Sequence, residues 1–216
     1  MNCLKDCVFC SLVNQTDKLL CYKPENTVLY ENDLVLIKPA LGMSIPNYLI
    51  VVSKQHVGGF AELDSRNLYR LEGLLDRICD EYNKIIGTYP ILFEHGSLPE
   101  GRHPLSITHA HLHIIPITIS HDNVLKLFDE LNLESQPSIV SLHNMKYKDY
   151  WMYRSENKRY YMSHSIKDVP RSLFIKLVAQ QAGYDSSYEW RDPENNRYSD
   201  INETIETFKK LRINGG

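Results

Sequence analysis

Up to about residue 116 the apolar residues come in short runs, interrupted by one long stretch with helical spacing. The runs are bounded by turn residues and predict strands over 27–31, 34–38, 48–53, 91–95 and 107–115. Asn32-Asp33 between the first two predicts a tight hairpin. Between the third and fourth runs, Leu68, Leu71, Leu75, Ile78, Tyr82 and Ile85 recur every three to four positions, which lines up one buried stripe. Asp64 or Ser65 is placed to cap the start of this helix and Gly87 to end it. Three strands, a helix and two more strands with short early links predict an α+β fold, with an antiparallel five-stranded sheet and the helix against one face.

After Pro116 the pattern changes. A short helix is predicted over 123–131, followed by the linker-like Glu134-Ser135-Gln136-Pro137-Ser138. The Tyr-rich segments 147–153 and 159–162 flank Ser155-Glu156-Asn157-Lys158 and predict a β-hairpin. Two further helices are predicted over 170–182 and 201–211. No repeat or low-complexity tract divides the chain. Residues 1–120 read as one domain and 121–216 as an extension packed on it, because the later apolar faces are few and need a surface to cover.

Composition narrows the function classes. In 216 residues, 24 basic and 27 acidic side chains give a net charge of -3. That balance lacks the basic excess of a protein that lives on duplex nucleic acid, so no obligatory nucleic-acid partner is expected. The longest apolar run, 48–52, is far too short to span a bilayer, and no membrane partner is expected. The N-terminus has no basic stretch leading into an apolar segment, so the expected location is cytoplasmic. Five cysteines, three of them at Cys3, Cys7 and Cys10, make a poor disulfide framework. Histidine is the unusual residue: five of nine (His95, His103, His109, His111 and His113) lie between 95 and 113.

In Thr108-His109-Ala110-His111-Leu112-His113-Ile114-Ile115-Pro116 the histidines alternate with apolar residues. On a strand the three imidazoles leave one face, roughly 7 Å apart, while Ala110, Leu112 and Ile114 leave the other. A neutral imidazole is a competent nucleophile near pH 7, and its neighbour can hold the other oxygens of the centre it attacks. Toward phosphorus this gives an in-line displacement through a phosphoramidate. Three alternating imidazoles also suit a tri-histidine metal centre, and spacing alone does not separate the two. Cys7-x-x-Cys10 is half of a common zinc site, with His56 and His109 as candidates for the other half; the bland reading is two reduced thiols and a surface histidine. Cys3-x3-Cys7-x2-Cys10 also has the spacing of a radical iron–sulfur site, but no strand–helix series follows it.

His109-Ala110-His111-Leu112-His113-Ile114-Ile115 resembles the signature of the histidine-triad (HIT) superfamily of nucleotidyl hydrolases and transferases. The resemblance extends through Cys7-Val8-Phe9-Cys10, the region 27–39 and Tyr48-Leu49-Ile50-Val51-Val52-Ser53-Lys54-Gln55-His56, and covers roughly residues 5–118. It implies that His111 is the nucleophile toward an α-phosphate and carries a transient nucleotidyl group. It places His113 beside the phosphate and leaving group, and matches Ser106 to a phosphate-contacting hydroxyl. A third histidine is similar to the hydrolase branches. The resemblance also implies structural zinc on Cys7, Cys10, His56 and His109, the four positions used by zinc-bearing members.

The sequence departs from the family in three places. Many members carry a ribose-binding acidic residue on the second strand, where this chain reads Val35-Leu36-Ile37-Lys38-Pro39; Lys38 there suits a phosphate or a second acidic group, or else stands as a solvated surface charge. The customary glutamine before the triad is Leu105. Phe93-Glu94-His95-Gly96 resembles a motif of some bacterial members and offers His95 as a further substrate contact. Tyr188-Glu189-Trp190-Arg191-Asp192-Pro193-Glu194-Asn195 resembles C-terminal segments of larger bacterial HIT-like proteins, although Arg171-Ser172 replaces the usual Ser-Gln. Hairpin aromatics Tyr150, Trp151, Tyr153, Tyr160 and Tyr161 could stack on a base, with Arg154 and Arg159 near phosphates, but such hairpins more often pack.

The expected function is a HIT-like nucleotide hydrolase that cleaves a phosphoanhydride or phosphoramidate, with a nucleotide or nucleotide conjugate as partner. Nucleotidyl transfer, a non-catalytic nucleotide-binding module and a metallohydrolase are the alternatives. A homodimer stays open, since small HIT proteins often pair.

Overall fold

Strand-length apolar runs distant in sequence hydrogen-bond into one antiparallel sheet whose two faces carry different chemistry. The structure, a computed structural model, describes residues 7–41, 45–96, 108–119, 122, 124, 132–146, 149–164, 173–181, 183 and 198–213. Its strands are β1 (Tyr30–Glu31), β2 (Val35–Pro39), β3 (Leu49–Ser53), β4 (Ile91–Gly96), β5 (His111–Ile115), β6 (Glu134–Gln136), β7 (Tyr150–Arg154) and β8 (Tyr160–Ser163). Its helices are α1 (Val8–Val13), α2 (Lys18–Cys21), α3 (Ser65–Ile86), α4 (Leu173–Gln181) and α5 (Tyr198–Phe208).

The sheet holds eight strands, in the order β1-β2-β3-β5-β4-β7-β8-β6, rather than the expected five. The outer edge of β4 explains the difference. Its unpaired backbone groups are taken by β7, with Leu92 opposite Arg154 and Gly96 opposite Tyr150, so the hairpin lengthens the sheet instead of standing apart from it. The segment read as a linker contributes β6, which pairs with β8 from Glu134 opposite Met162 to Gln136 opposite Tyr160.

Cross-strand register sorts the side chains. Val35, Ile37, Leu49, Val51, Leu92, Leu112, Ile114, Met152 and Met162 share one face and pack on Leu68, Leu71, Leu75, Ile78 and Tyr82 of α3. Each fully buried leucine or isoleucine contributes roughly 1.5–3 kcal/mol of burial energy to this layer. Helix α3 begins where the Asp64 carboxylate accepts the Asn67 N–H at 2.7 Å. It ends at Gly87, whose φ of 71° is left-handed and whose N–H donates to the Asn83 carbonyl. Ile85, expected in the buried stripe, is exposed at the helix end.

The opposite face carries Leu36, Lys38, Ile50, Val52, His111, His113, Phe93, His95, Trp151 and Tyr153. It is covered from two sides. Phe9 and Leu12 of α1 pack on Leu36 and Val52, while Phe174, Leu177 and Val178 of α4 pack with Phe93, Trp151 and Tyr153. The last helix, α5, is tied to the turn before β3 by the Asn47 N–H, which donates to Thr204 Oγ1 at 2.8 Å. Helices α4 and α5 lie within or near the predicted ranges, whereas the helix predicted over 123–131 and the segment 188–195 lie largely or wholly outside the described residues. Among the described residues, no helix is long and apolar enough to cross a membrane.

Candidate active site and metal centre

Strand β5 pairs with β3 on one side and β4 on the other, and this register aims the histidines. Val52 lies opposite His111, and both Ile50 and Phe93 lie opposite His113. The imidazoles of His111 and His113 sit side by side with ring centroids 5.1 Å apart. Both rings are partly exposed, while the alternating Ala110, Leu112 and Ile114 are buried beneath them.

Hydrogen bonds select which nitrogen faces outward. His111 Nδ1 lies 2.7 Å from the His109 carbonyl oxygen. A carbonyl can only accept, so Nδ1 carries the proton and Nε2 keeps its lone pair. His113 Nδ1 is in a short hydrogen bond with the hydroxyl of Tyr48, a buried side chain at the entrance to β3. When that hydroxyl donates, Nε2 of His113 carries the hydrogen and offers an N–H beside the His111 lone pair. Burial lowers the proton affinity of both rings, and the positive charge of Lys38 lowers it further. Both imidazoles are therefore neutral at pH 7, the form in which one attacks and the other donates.

His109 turns the other way. It is almost fully buried, and its Nε2–H donates to the Ser53 carbonyl at 2.8 Å. Burial pulls its pKa down to about 4, so the ring is neutral. Its Nδ1 lone pair points at Cys7 Sγ (3.4 Å), Cys10 Sγ (3.7 Å) and His56 Nδ1 (3.2 Å). Cys10 Sγ lies 3.2 Å from His56 Nδ1, and all four donor atoms fall within 4.8 Å of one another. A tetrahedral zinc with thiolate and imidazole ligands implies donor separations of about 3.3–3.8 Å, and these four, from 3.2 to 3.7 Å, lie close to that range. The cysteines are free thiols, and the turn of α1 brings Cys10 N–H onto Cys7 Sγ as in a metal knuckle. The four residues the sequence singled out for zinc thus come together in a donor set compatible with that ion.

Lys38 and His95 reach the same face as His111 and His113 from β2 and β4. Lys38 is 4% exposed, and its Nζ donates to the Pro39 carbonyl at 2.8 Å. His95 stacks on Trp151, with ring centroids 4.9 Å apart. Ser106, Leu105 and Cys3 lie outside the described residues. Trp151 and Tyr153 pack beneath α4, and Tyr150 and Tyr160 are buried on the α3 face. Arg154 is also on the α3 face, ion-paired with Asp76, and Arg159 is bonded to Ser135, so neither side chain stands beside the histidines.

Two contacts with the histidines had not been singled out. Tyr48 shares strand parity with Ile50, the residue opposite His113, so alternation in 48–53 carried that signal once β3 and β5 were paired. Phe9, between the two cysteines, packs its ring 5.3 Å from His111 and 5.7 Å from His109.

No family model matches the chain, and no curated protein matches it. Solved structures do. A Hit-like protein from Bartonella henselae, described as involved in cell-cycle regulation, is 17% identical over 54% of this chain and 79% of its own, with a TM-score of 0.41. A zinc-bound histidine-triad family protein from Mycobacterium smegmatis is 15% identical over 54% and 78%, with a TM-score of 0.40. A HIT family hydrolase from Clostridium thermocellum is 16% identical over 54% and 95%, with a TM-score of 0.39. The solved proteins this chain is similar to thus include ones described as Hit-like, histidine-triad and HIT family proteins.

Proposed function

We propose that this protein is a nucleotidyl hydrolase of the histidine-triad kind, with residues 1–120 forming its catalytic part and 121–216 an extension packed on it. The observation that carries the reading is the bond from His111 Nδ1–H to the His109 carbonyl, which leaves Nε2 as a lone pair beside His113. His111 Nε2 attacks the α-phosphorus and a P–N bond forms. The bond from phosphorus to the leaving group breaks, and the leaving group departs with the electron pair. The N–H of His113 stabilises the developing charge by hydrogen bonding, and the leaving group takes its proton from water. Water then adds to the same phosphorus, releasing a proton to solvent, and the P–N bond breaks. The nucleoside monophosphate is released and the imidazole is restored. Ser106 and His95 are proposed as further substrate contacts.

Cys7, Cys10, His56 and His109 would hold a zinc ion as a closed four-ligand site, supplying a structural tie between the N-terminal turn and β5. The reactive pair, His111 and His113, is left outside that donor set.

The test is release of nucleoside monophosphate from dinucleoside polyphosphates, nucleotide sugars and adenylated amines, by the intact protein and by His111→Ala. A fall in kcat of at least about a thousandfold in the variant is expected. Equal release by both proteins would refute the assignment.

A further inference from the structure

Lys38 is a charged group buried where the sheet needs none. Its side chain leaves β2 on the histidine face, and Ile50 lies opposite it on β3 while His113 lies opposite Ile50 on β5. Three adjacent strands at about 4.8 Å spacing put the Lys38 and His113 backbones roughly 10 Å apart. The Lys38 charge is close enough to act on both His111 and His113. The ammonium has three hydrogens, and one is used on the Pro39 carbonyl. Among the described residues no carboxylate forms an ion pair with it. Glu25 acts on it electrostatically, and Oε2 of that carboxylate is itself buried without a hydrogen-bond partner. A buried ammonium with spare donors and no paired acid is a cost to the fold, and the cost is offset when an anion from outside completes it.

Resting on the hydrolase reading above, we infer that Lys38 is a specificity-determining residue that binds a second phosphoryl group next to the one His111 attacks. Placed two strands from His113 on the same face, it meets the neighbouring phosphate of an anhydride rather than the attacked centre. The site is therefore selective for charge: it prefers nucleotides whose α-phosphate is bonded to another phosphate over those whose leaving group carries none.

The experiment measures both binding and turnover in wild type and Lys38→Met. Binding is titrated with a nucleoside diphosphate whose phosphates are joined by a methylene bridge, against the nucleoside monophosphate. Wild type should prefer the diphosphate analogue by about 10- to 100-fold, the range of one charge-assisted hydrogen bond. In Lys38→Met that preference should vanish while monophosphate affinity is kept. Cleavage of a dinucleoside polyphosphate should fall by a similar factor, with hydrolysis of an adenylated amine unchanged. Lys38→Met should also melt no lower than wild type, because an apolar side chain of similar length replaces an unpaired buried charge.

A diphosphate preference that survives in Lys38→Met would overturn the assignment, as would equal losses for both substrate types, which would place Lys38 on the attacked phosphate. A variant that melts well below wild type would also overturn it, because the charge would then be satisfied within the protein. Failure of wild type to bind either analogue or to turn over any substrate would overturn the nucleotide reading itself, and Lys38's role with it.

Discussion

Glu94 gives the sharpest prediction about stability. It sits on β4 with its side chain in the α3-facing core, fully buried. Its Oε1 accepts the Phe60 N–H at 2.7 Å, and the Tyr150 hydroxyl bonds to the carboxyl, while Oε2 is buried with no partner. Burial outweighs both hydrogen bonds and pushes the pKa from 4.5 up to about 8. In the unfolded chain the group releases its proton near the ordinary value. Between pH 4.5 and 8 the folded state therefore binds more protons than the unfolded state, and stability falls as pH rises. This contribution is fully present below pH 4.5 and is lost as pH climbs through 8. Each pH unit inside that window removes up to about 1.4 kcal/mol, so the whole window amounts to about 5 kcal/mol at most. In Glu94→Gln the amide oxygen can still accept from Phe60, and nothing titrates. The check is urea unfolding of both proteins from pH 5 to 9, reading stability from midpoint and slope. Taking the difference between the two proteins cancels the titration of the thiols and histidines that they share. Near pH 5 the two should agree within about 1 kcal/mol, and near pH 8.5 the glutamine variant should be more stable by several. Parallel curves across the range would falsify the reasoning, since they would mean that Glu94 is ionised and satisfied in the folded protein at every pH tested.

Tyr48→Phe removes the hydroxyl that holds His113 Nδ1, and kcat should fall about tenfold with little change in KM, measured on whichever nucleotide the protein cleaves. Under the zinc reading of the Cys7, Cys10, His56 and His109 cluster, a chelator should lower the melting temperature by on the order of 10 °C, and activity should decay with unfolding rather than at once. Gly96→Ala would place a Cβ 2.0 Å from the Tyr150 ring, against a side chain locked between β7 and the Phe60–Glu62 turn, and should cost about 3 kcal/mol in urea unfolding.

Local chemistry explains which parts of the molecule were legible in the sequence. Helix α3 announces itself through the stripe from Leu68 to Tyr82, the Asp64 cap and Gly87, and the histidine alternation fixes the two faces of β5 without knowledge of its neighbours. The cluster of Cys7, Cys10, His56 and His109 was legible as residue types, because thiols three apart and two histidines are few enough to enumerate. Pairing between β4 and β7 was not, since it joins residues more than fifty positions apart. Strand β7 reads Tyr-Trp-Met-Tyr-Arg and is buried on both faces, so it carries no alternation to say which face meets what. Strand β6 is polar because it ends the sheet, which made it look like a linker. Helix α1 is only six residues long, too short for a periodicity to declare it. Glu94 looked like part of a motif, and its burial is set by β7 and the Phe60 turn, neither of which its own neighbours in sequence reveal.

The two strands that close the sheet bear on how copies of the chain can meet. Strand β1 has two residues and β6 has three, each shorter than the five or six of an average strand. A sheet grows from molecule to molecule by pairing the free backbone groups of such margins, and here each margin offers only a fragment of a ladder. Extension into fibres or edge-joined pairs is therefore starved of hydrogen bonds at both ends. Among the described residues, side-chain surfaces rather than these short margins are what the sheet offers to a second copy.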